Sequence, residues 1–291
     1  MSLVEQAIAR LRHAQPGNTD MAPKGTARAP TPPDADGPFE ETATLRARMP
    51  IDTAALRAAG YLPDPEKERQ FAELFRRIKR PLIEKAMTGG VEGREQRVIM
   101  VTSALPGDGK TFTSINLALS MALERDISVL LVDSDVAKQH VSEIFGLREQ
   151  EGLLDALLDE AVDPEAFIIP TALRGLSVLP AGRPVEGTAE LLSSNRLRKV
   201  ITSLCTQRPK RILLLDSAPL LVTNESRSLV KIAGQVVLVV RAGHTPSQAV
   251  QAAIALFDES QAGGVILNQV QVGATEEYYG YGAYGENGDA S

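Results

Sequence analysis

Beyond residue 59, short segments that are almost wholly apolar alternate with segments in which apolar residues recur every three or four positions. The apolar segments have four or five residues and are rich in Val, Ile and Leu, which is typical of β-strands covered on both faces of a sheet. The predicted strands are residues 98–102, 129–132, 176–179, 212–215, 236–240 and 264–267. The periodic segments predict helices at residues 111–123, 141–145, 191–204 and 246–257. This alternation predicts an α/β fold with a mostly parallel sheet and helices on both of its faces.

A further helical pattern begins near Glu66, before the first predicted strand. Apolar residues form one face of this helix, and Glu, Arg and Lys form the other. The apolar face consists of Phe71, Leu74, Phe75, Ile78 and Leu82. Pro81 lies inside the pattern, and we expect it to kink or interrupt the helix, because proline lacks a backbone N–H and clashes with the preceding turn.

The two ends of the chain differ in composition from the α/β region. Residues 1–13 predict a short N-terminal helix, and residues 14–58 are rich in Pro, Ala, Thr and Gly without periodicity, which predicts a disordered linker. The predicted α/β domain comprises residues 59–272, and residues 273–291 form a glycine-rich tail that we expect to be flexible. Four of the five tyrosines lie in this tail, namely Tyr278, Tyr279, Tyr281 and Tyr284.

Composition and charge narrow the functional classes. The formal net charge of −6 argues against nucleic acid as a partner, because contacts to phosphates need a basic surface. No apolar stretch approaches the roughly 18–20 residues that cross a bilayer, and the N-terminus lacks the apolar core of a secretory signal. We therefore expect a cytoplasmic protein that reaches the membrane only through a partner. The single cysteine, Cys205, excludes an internal disulfide and is expected to be a buried thiol.

The clearest motif is Ala104-Leu105-Pro106-Gly107-Asp108-Gly109-Lys110-Thr111, which follows the first predicted strand and opens a helix. Small residues in such a loop allow backbone N–H groups to surround phosphate oxygens, and the helix N-terminus adds a positive dipole. The pattern is that of a P-loop with Ala104 in place of the first glycine, in which Lys110 reaches the β- and γ-phosphates of ATP and the Thr111 hydroxyl binds Mg²⁺. The predicted nucleotide-binding residues of this segment are Pro106, Gly107, Asp108, Gly109, Lys110, Thr111 and Phe112.

Aspartates follow two of the apolar strands. Asp133 and Asp135 come after the second predicted strand, and Asp216 comes after the fourth. Because ligands bind at the carboxyl ends of the strands in a doubly wound sheet, we expect these carboxylates to converge with Lys110 beside the phosphates. Asp133 and Asp216 are candidate Mg²⁺ positions with Thr111, and Asp135 is the candidate acceptor of a proton from the attacking group. Lys110, Asp133, Asp135 and Asp216 are therefore the predicted catalytic residues.

Together with the tyrosine tail, these motifs resemble the bacterial tyrosine kinases, which are the autokinases of capsule and exopolysaccharide synthesis. The resemblance is closest to the form associated with exosortase gene clusters, and it covers roughly residues 60–285. It implies a P-loop NTPase-type fold in which residues 104–111 are Walker A, Asp133 and Asp135 belong to a second Walker A-type motif, and Asp216 is Walker B. It also implies that the γ-phosphoryl group of ATP, bound with Mg²⁺, passes to the tail tyrosines of a neighbouring subunit.

Further contacts follow from the same resemblance. Asn268 matches an asparagine that contacts adenine in related ATPases. Glu73, Arg76 and Lys79 fill the spacing of a helix motif that joins subunits into a ring, although a solvated helix face with ion pairs has the same pattern. The family implies a membrane-embedded polysaccharide chain-length protein, or co-polymerase, as activator. Such a partner would recruit the kinase to the inner face of the cytoplasmic membrane.

Two other functions remain open at this stage. A partition or positioning ATPase that switches its dimerisation or membrane association shares the P-loop, but such proteins usually carry a lysine at the position of Leu105. A non-enzymatic assembly module would use ATP only as a structural ligand. For that module, the tail would be an adhesive low-complexity segment without chemistry.

Overall fold

The structure is a computed structural model that describes residues 48–88 and 94–270. Within these residues the strands are β1 (Val98–Ser103), β2 (Ser128–Asp133), β3 (Ile169–Pro170), β4 (Leu176–Leu179), β5 (Arg211–Asp216), β6 (Gln235–Arg241) and β7 (Ala262–Asn268). They form one sheet in the order β3-β4-β2-β5-β1-β6-β7, in which every neighbouring pair is parallel except β3 and β4. The mostly parallel sheet and its six predicted strands are confirmed. Strand β3 is absent from the prediction because two residues carry no periodicity.

Helices cover both faces of the sheet, as predicted. The helices of the described residues are α1 (Thr53–Ala58), α2 (Glu68–Thr88), α3 (Lys110–Met121), α4 (His140–Ile144), α5 (Leu153–Leu158), α6 (Thr188–Ser193), α7 (Asn195–Gln207), α8 (Asn224–Val230) and α9 (Ser247–Ile254). Helices α1–α4 contribute to the core on one face, and α5–α9 contribute to the core on the other. None of the helices in this part of the chain combines the length and hydropathy that a membrane span requires.

Strand β1 shows why the strands are apolar at nearly every position. Val98 and Met100 belong to the core under α5–α9, whereas Ile99 and Val101 belong to the core under α1–α4. Alternate side chains of a strand point to opposite faces, so a strand covered by helices on both sides buries all of them. The sequence pattern therefore reports a central strand of a three-layer fold.

The predicted helix of residues 191–204 is divided into two. Helix α6 ends at Ser193 and α7 begins at Asn195, and Ser194 between them has an extended backbone with φ −78° and ψ 159°. The Ser194 hydroxyl donates to the Leu191 carbonyl at 2.6 Å. This local bond offers the backbone an alternative to helical continuation, which apolar periodicity alone does not reveal.

Pro81 does not interrupt α2, which runs continuously from Glu68 to Thr88. Pro81 is exposed, whereas its neighbour Leu82 is buried. Water can bind the carbonyl that loses its helical partner at such a position, so the helix continues. Of the two expected effects of Pro81, a kink or an interruption, the interruption is wrong.

The predicted linker of residues 14–58 extends too far at its C-terminal end. Thr53–Ala58 forms α1, whose N-cap Asp52 accepts a hydrogen bond from the Ala55 N–H at 2.9 Å. Leu56 of this helix is buried in the core. A one-and-a-half-turn helix has too few residues to show periodicity, and tertiary packing stabilises it. Residues 14–47 of the linker, the helix of residues 1–13 and the tail of residues 273–291 lie outside the described residues.

Lys79 does not lie on the surface with the other two residues of the predicted ring motif. Glu73 and Arg76 form an exposed ion pair at 2.7 Å, but only 5% of Lys79 is exposed. The Lys79 ammonium donates to the Ser120 carbonyl at 2.5 Å and pairs with Glu124 at 2.8 Å. The charge of Lys79 is therefore satisfied within the chain, and the predicted oligomer interface itself stays a prediction. Sequence spacing places a residue on a helix but does not show what packs against it.

We expect Lys79→Met to lower the free energy of unfolding by about 1–3 kcal/mol, because it leaves a buried carbonyl without its charged donor. The matched substitution Arg76→Met removes an exposed ion pair and should change stability by less than about 0.5 kcal/mol. Urea denaturation followed by circular dichroism measures both. Equal, small effects of the two substitutions would contradict an internal structural role for Lys79.

Candidate active site

The P-loop joins the end of β1 to the start of α3. Gly107 and Gly109 have φ of +84° and +97°, a region that glycine enters without steric cost. A Cβ atom on Gly109 would lie 2.0 Å from Nδ2 of Asn268, so this position also requires the absence of a side chain. Helix α3 begins at Lys110, and the N–H groups of its first residues have no partner within the helix. These N–H groups are the ones a phosphate binds.

Asp108 connects this loop to the ends of β6 and β7. It is only 3% exposed, and its Oδ1 accepts from the Thr245 hydroxyl at 2.7 Å. The Asp108 carbonyl accepts from Nδ2 of Asn268 at 2.9 Å. Thr245 follows β6 and Asn268 ends β7, so the conformation of the loop depends on three elements. The Asp108 side chain is therefore occupied by the fold and not presented to a ligand.

Asp216, at the end of β5, is bonded to helix α3. Its Oδ2 accepts from the Thr111 hydroxyl and its Oδ1 accepts from the Ser114 hydroxyl, both at 2.8 Å. Asp216 is fully buried, and burial raises the pKa of its carboxyl to about 6, while the bonds from Ser114 and Thr111 oppose the rise. Thr111 and Asp216, which sequence places 105 residues apart, are thus in direct contact.

Asp133 ends β2 directly beside Asp216, because the two residues are partners in the β2–β5 register. Its Oδ2 accepts from both the N–H and the hydroxyl of Ser142 at 2.7 Å. Its Oδ1 is buried, and none of the described residues donates to it. Burial, and next the charge of Asp216, raise the pKa of the Asp133 carboxyl to about 7. A buried acceptor without a protein donor can accept a proton or bind a cation.

Lys110 and Asp135 complete the cluster. Lys110 is 8% exposed and Asp135 is 5% exposed. Burial lowers the pKa of the Lys110 ammonium, whereas the nearby charges of Asp216 and Asp135 raise it. The four predicted catalytic residues therefore do converge at one edge of the sheet. Oxygen ligands from Thr111, Asp133 and Asp216 are of the type that Mg²⁺ prefers, so this cluster can hold that ion.

Phe112 and Asn268 serve the fold more directly than the sequence indicates. The Phe112 ring packs against Phe71 at 5.9 Å and against Phe75 at 6.5 Å, measured between ring centroids. The Asn268 side chain donates to Asp108 and accepts from the Gln269 N–H at 2.9 Å. Both residues lie at the P-loop as predicted. Their side chains already have partners within the chain.

Three hydroxyl residues of the site are missing from the sequence prediction. Ser114 binds Asp216, Ser142 binds Asp133, and Thr245 binds Asp108. Ser114 follows Thr111 by three residues, so helical spacing places both on one face of α3 and could have identified it. Ser142 and Thr245 lie in other elements, and no sequence signal connects them to their partners. The tyrosines of the tail are outside the described residues.

Known proteins with similar sequences identify the family. A family model described as ParA, NUBPL iron-transfer P-loop NTPase, matches residues 94–271, which is more than half of the chain. The tyrosine-protein kinase YwqD of Bacillus subtilis is 32% identical over 191 residues, covering 65% of this chain and 79% of YwqD. The chain belongs to the bacterial tyrosine kinase family of P-loop NTPases. The predicted family and fold class are thereby confirmed.

Two further relatives extend this assignment. The kinase domain of VpsO is 29% identical with a TM-score of 0.56, and the match covers 72% of this chain and all of that domain. The succinoglycan biosynthesis transport protein ExoP of Rhizobium meliloti is 28% identical over 72% of this chain, but the match covers only 26% of ExoP. The match with this tyrosine kinase family member thus covers nearly the whole length of some relatives and about a quarter of the length of others.

The raised pKa values of Asp133 and Asp216 predict that stability without ligand falls as pH rises from about 4 to about 7. Over that range the folded state keeps protons that the unfolded state has lost, so each rise in pH favours unfolding. Asp133→Asn removes one such group. Relative to wild type, this variant should gain on the order of 2 kcal/mol between about pH 4 and pH 7.

Urea denaturation at several pH values measures this difference, and Asp126→Asn, at an exposed position, is the control. The control should follow the wild-type profile. A constant offset between Asp133→Asn and wild type would show that Asp133 titrates normally in the folded protein.

Proposed function

We propose that this chain is an ATP-dependent protein-tyrosine autokinase that phosphorylates Tyr278, Tyr279, Tyr281 and Tyr284 of its own tail. One observation carries the proposal: Asp133 lies beside Asp216 at the start of the P-loop helix, and one of its buried oxygens has no donor in the described part of the chain. A nucleotide bound by the loop would have its γ-phosphate at this carboxylate pair. The pair therefore suits phosphoryl transfer better than structural nucleotide binding.

The residues of the chain have distinct roles in this reaction. The backbone N–H groups of residues 107–112 bind the phosphates, and Lys110 places a positive charge on the β- and γ-phosphates. Thr111, Asp133 and Asp216 would hold Mg²⁺, which when bound would offset the negative charge of the phosphates. Burial of Lys110 and Asp216 excludes water and strengthens these interactions.

Phosphoryl transfer needs a base as well as groups that bind the phosphates. The phenol oxygen of a tyrosine forms a bond to the γ-phosphorus, and the bond from that phosphorus to ADP breaks. A phenol with a pKa near 10 is a weak nucleophile at neutral pH, so its proton must leave during the reaction. Asp135 accepts this proton in our proposal. The products are ADP and phosphotyrosine.

The end of β7, which precedes the tail in sequence, lies at the proposed site. Asn268, whose side chain contacts the P-loop, is ten residues before Tyr278 and sixteen before Tyr284. At about 3.3–3.6 Å per extended residue, these tyrosines can reach some tens of ångströms from the end of β7. That length allows delivery to the site of a neighbouring subunit. Phosphorylation would add about −1.5 to −2 charges per tyrosine, which disfavours return of the modified tail to the acidic cluster.

We also propose the biological setting from the relatives. ExoP is named for succinoglycan biosynthesis and transport, so exopolysaccharide or capsule production is the process that this kinase would regulate. A polysaccharide co-polymerase in the cytoplasmic membrane would recruit and activate it from the cytoplasm. Assignment to the exosortase-associated type and a ring-shaped homo-oligomer remain predictions, and the exposed pair Glu73 and Arg76 is the remaining part of the ring motif.

Incubation of the full chain with γ-labelled ATP and Mg²⁺, followed by phosphoamino acid analysis, tests the function. Wild type should yield phosphotyrosine. The variant with all four tail tyrosines changed to Phe should bind ATP as wild type does but lose the label, because only the acceptors are removed. Lys110→Met should lose the label while its tail is intact.

The other outcomes separate the competing functions. Release of free phosphate without phosphotyrosine would identify a nucleotide-switched ATPase and contradict the kinase proposal. ATP binding with neither product would identify an assembly module. Undiminished label on the four-Phe variant would show that the tail is not the main acceptor.

A further inference from the structure

We propose that Arg241 binds the base end of the nucleotide, through hydrogen bonds from its guanidinium to the purine. Arg241 is the last residue of β6, and in the parallel register it is the partner of Asn268 at the end of β7. Val239 and Ile266, two residues earlier on each strand, contact the core under α3. Because side chains alternate along strands, Arg241 and Asn268 lie on this same face. The inference rests on the proposed ATP-dependent function.

The backbone of Arg241 is fixed to the P-loop. Its N–H donates to the Thr245 hydroxyl at 3.0 Å, and its carbonyl accepts from the Thr245 N–H at 3.0 Å. The same hydroxyl donates to Asp108 at 2.7 Å. The next residue, Ala242, donates its N–H to the Asn268 carbonyl at 2.9 Å. Arg241 therefore starts from a position that is set by the loop that holds the phosphates.

One nitrogen of the guanidinium has no acceptor among the described residues. Nε of Arg241 is buried, and no residue in the described ranges accepts a hydrogen bond from it. A buried donor left without an acceptor costs about 1–3 kcal/mol, so such a group in a folded protein needs a reason. A ligand that supplies the acceptor is one such reason. The Asn268 side chain is less available for a ligand, because its amide already forms hydrogen bonds with Asp108 and Gln269.

The sheet order shows which part of the nucleotide lies at Arg241. Strand β1, which leads into the P-loop, has β5 and β2 on one side and β6 and β7 on the other. The carboxylates of Asp133 and Asp216 are on the β5 and β2 side, which is where the γ-phosphate and Mg²⁺ belong. A nucleotide threaded through the loop directs its other end, the base, toward β6 and β7. Purine ring nitrogens accept hydrogen bonds, and a planar guanidinium can also stack on the ring.

Binding of two ligands separates a base contact from a phosphate contact. We would measure dissociation constants of ATP and of inorganic tripolyphosphate, which lacks the base, by calorimetry with the full chain. Arg241→Met should weaken ATP binding about tenfold, equal to about 1.4 kcal/mol, and leave tripolyphosphate binding unchanged. Arg241→Lys keeps the charge but loses the planar fork, so it should weaken ATP binding to a smaller extent.

Arg125→Met is the control, because Arg125 is exposed in the loop between α3 and β2 at the opposite end of the strands. Equal weakening of both ligands by Arg241→Met would indicate a phosphate contact and overturn the proposal. Unchanged ATP binding would overturn it as well. If Arg241→Met lowers the melting temperature, the binding of ATP and of tripolyphosphate is compared for Arg241→Lys instead, and the same results support or overturn the proposal. A wild type that binds neither ligand would contradict the proposed function itself and this inference with it.

Discussion

Two aspartates held side by side on adjacent parallel strands set the electrostatics on which the rest of this site depends. Asp133 and Asp216 are register partners at the ends of β2 and β5, and both are almost completely buried. Like charges at that separation repel in a low dielectric, and burial raises both pKa values further. The fold opposes this with hydroxyl donors from Thr111, Ser114 and Ser142. These donors do not fully offset the repulsion, because none of the described residues donates to Oδ1 of Asp133.

A conflict of this kind is useful in an enzyme that handles a metal–nucleotide complex. Two buried carboxylates that repel each other are stabilised strongly when a cation binds between them. The protein without ligand is therefore less stable, and its affinity for the cation is higher. Lys110 cannot supply the whole compensation, because burial also disfavours its charge. The hydroxyl donors keep the carboxylates in position in the meantime. Preorganisation of this type requires only the P-loop helix and two strand ends, which a parallel sheet brings together at one edge.

Sequence predicted the central layers and the charged residues well, for identifiable physical reasons. Strands buried on both faces are apolar at most positions, as β1 and β5 are. The P-loop combines glycines with Lys110 at a spacing that is specific to phosphate binding. Predictions failed where tertiary packing decides the outcome. The charge pattern of α2 gave no sign that Ser120 and Glu124 enclose Lys79. Spacing likewise could not link Ser142 to Asp133 or Thr245 to Asp108, because those contacts join separate elements.

The side of the P-loop that contacts β6 and β7 would connect nucleotide binding to the segment that precedes the tail. Asp108 bonds with Thr245 and Asn268, so the P-loop, the end of β6 and the end of β7 form one hydrogen-bonded unit. Within residues 48–88 and 94–270, strand β7 pairs only with β6, and it is the strand nearest in sequence to the tyrosine-rich segment. A ligand that bonds with this unit stabilises the strand end from which the tail departs, since anything that binds the folded arrangement favours it. The two ends of a bound nucleotide would thus act on different parts of the proposed reaction. The phosphates would act on the carboxylate pair, and the base would act on the strand that precedes the proposed substrate tyrosines.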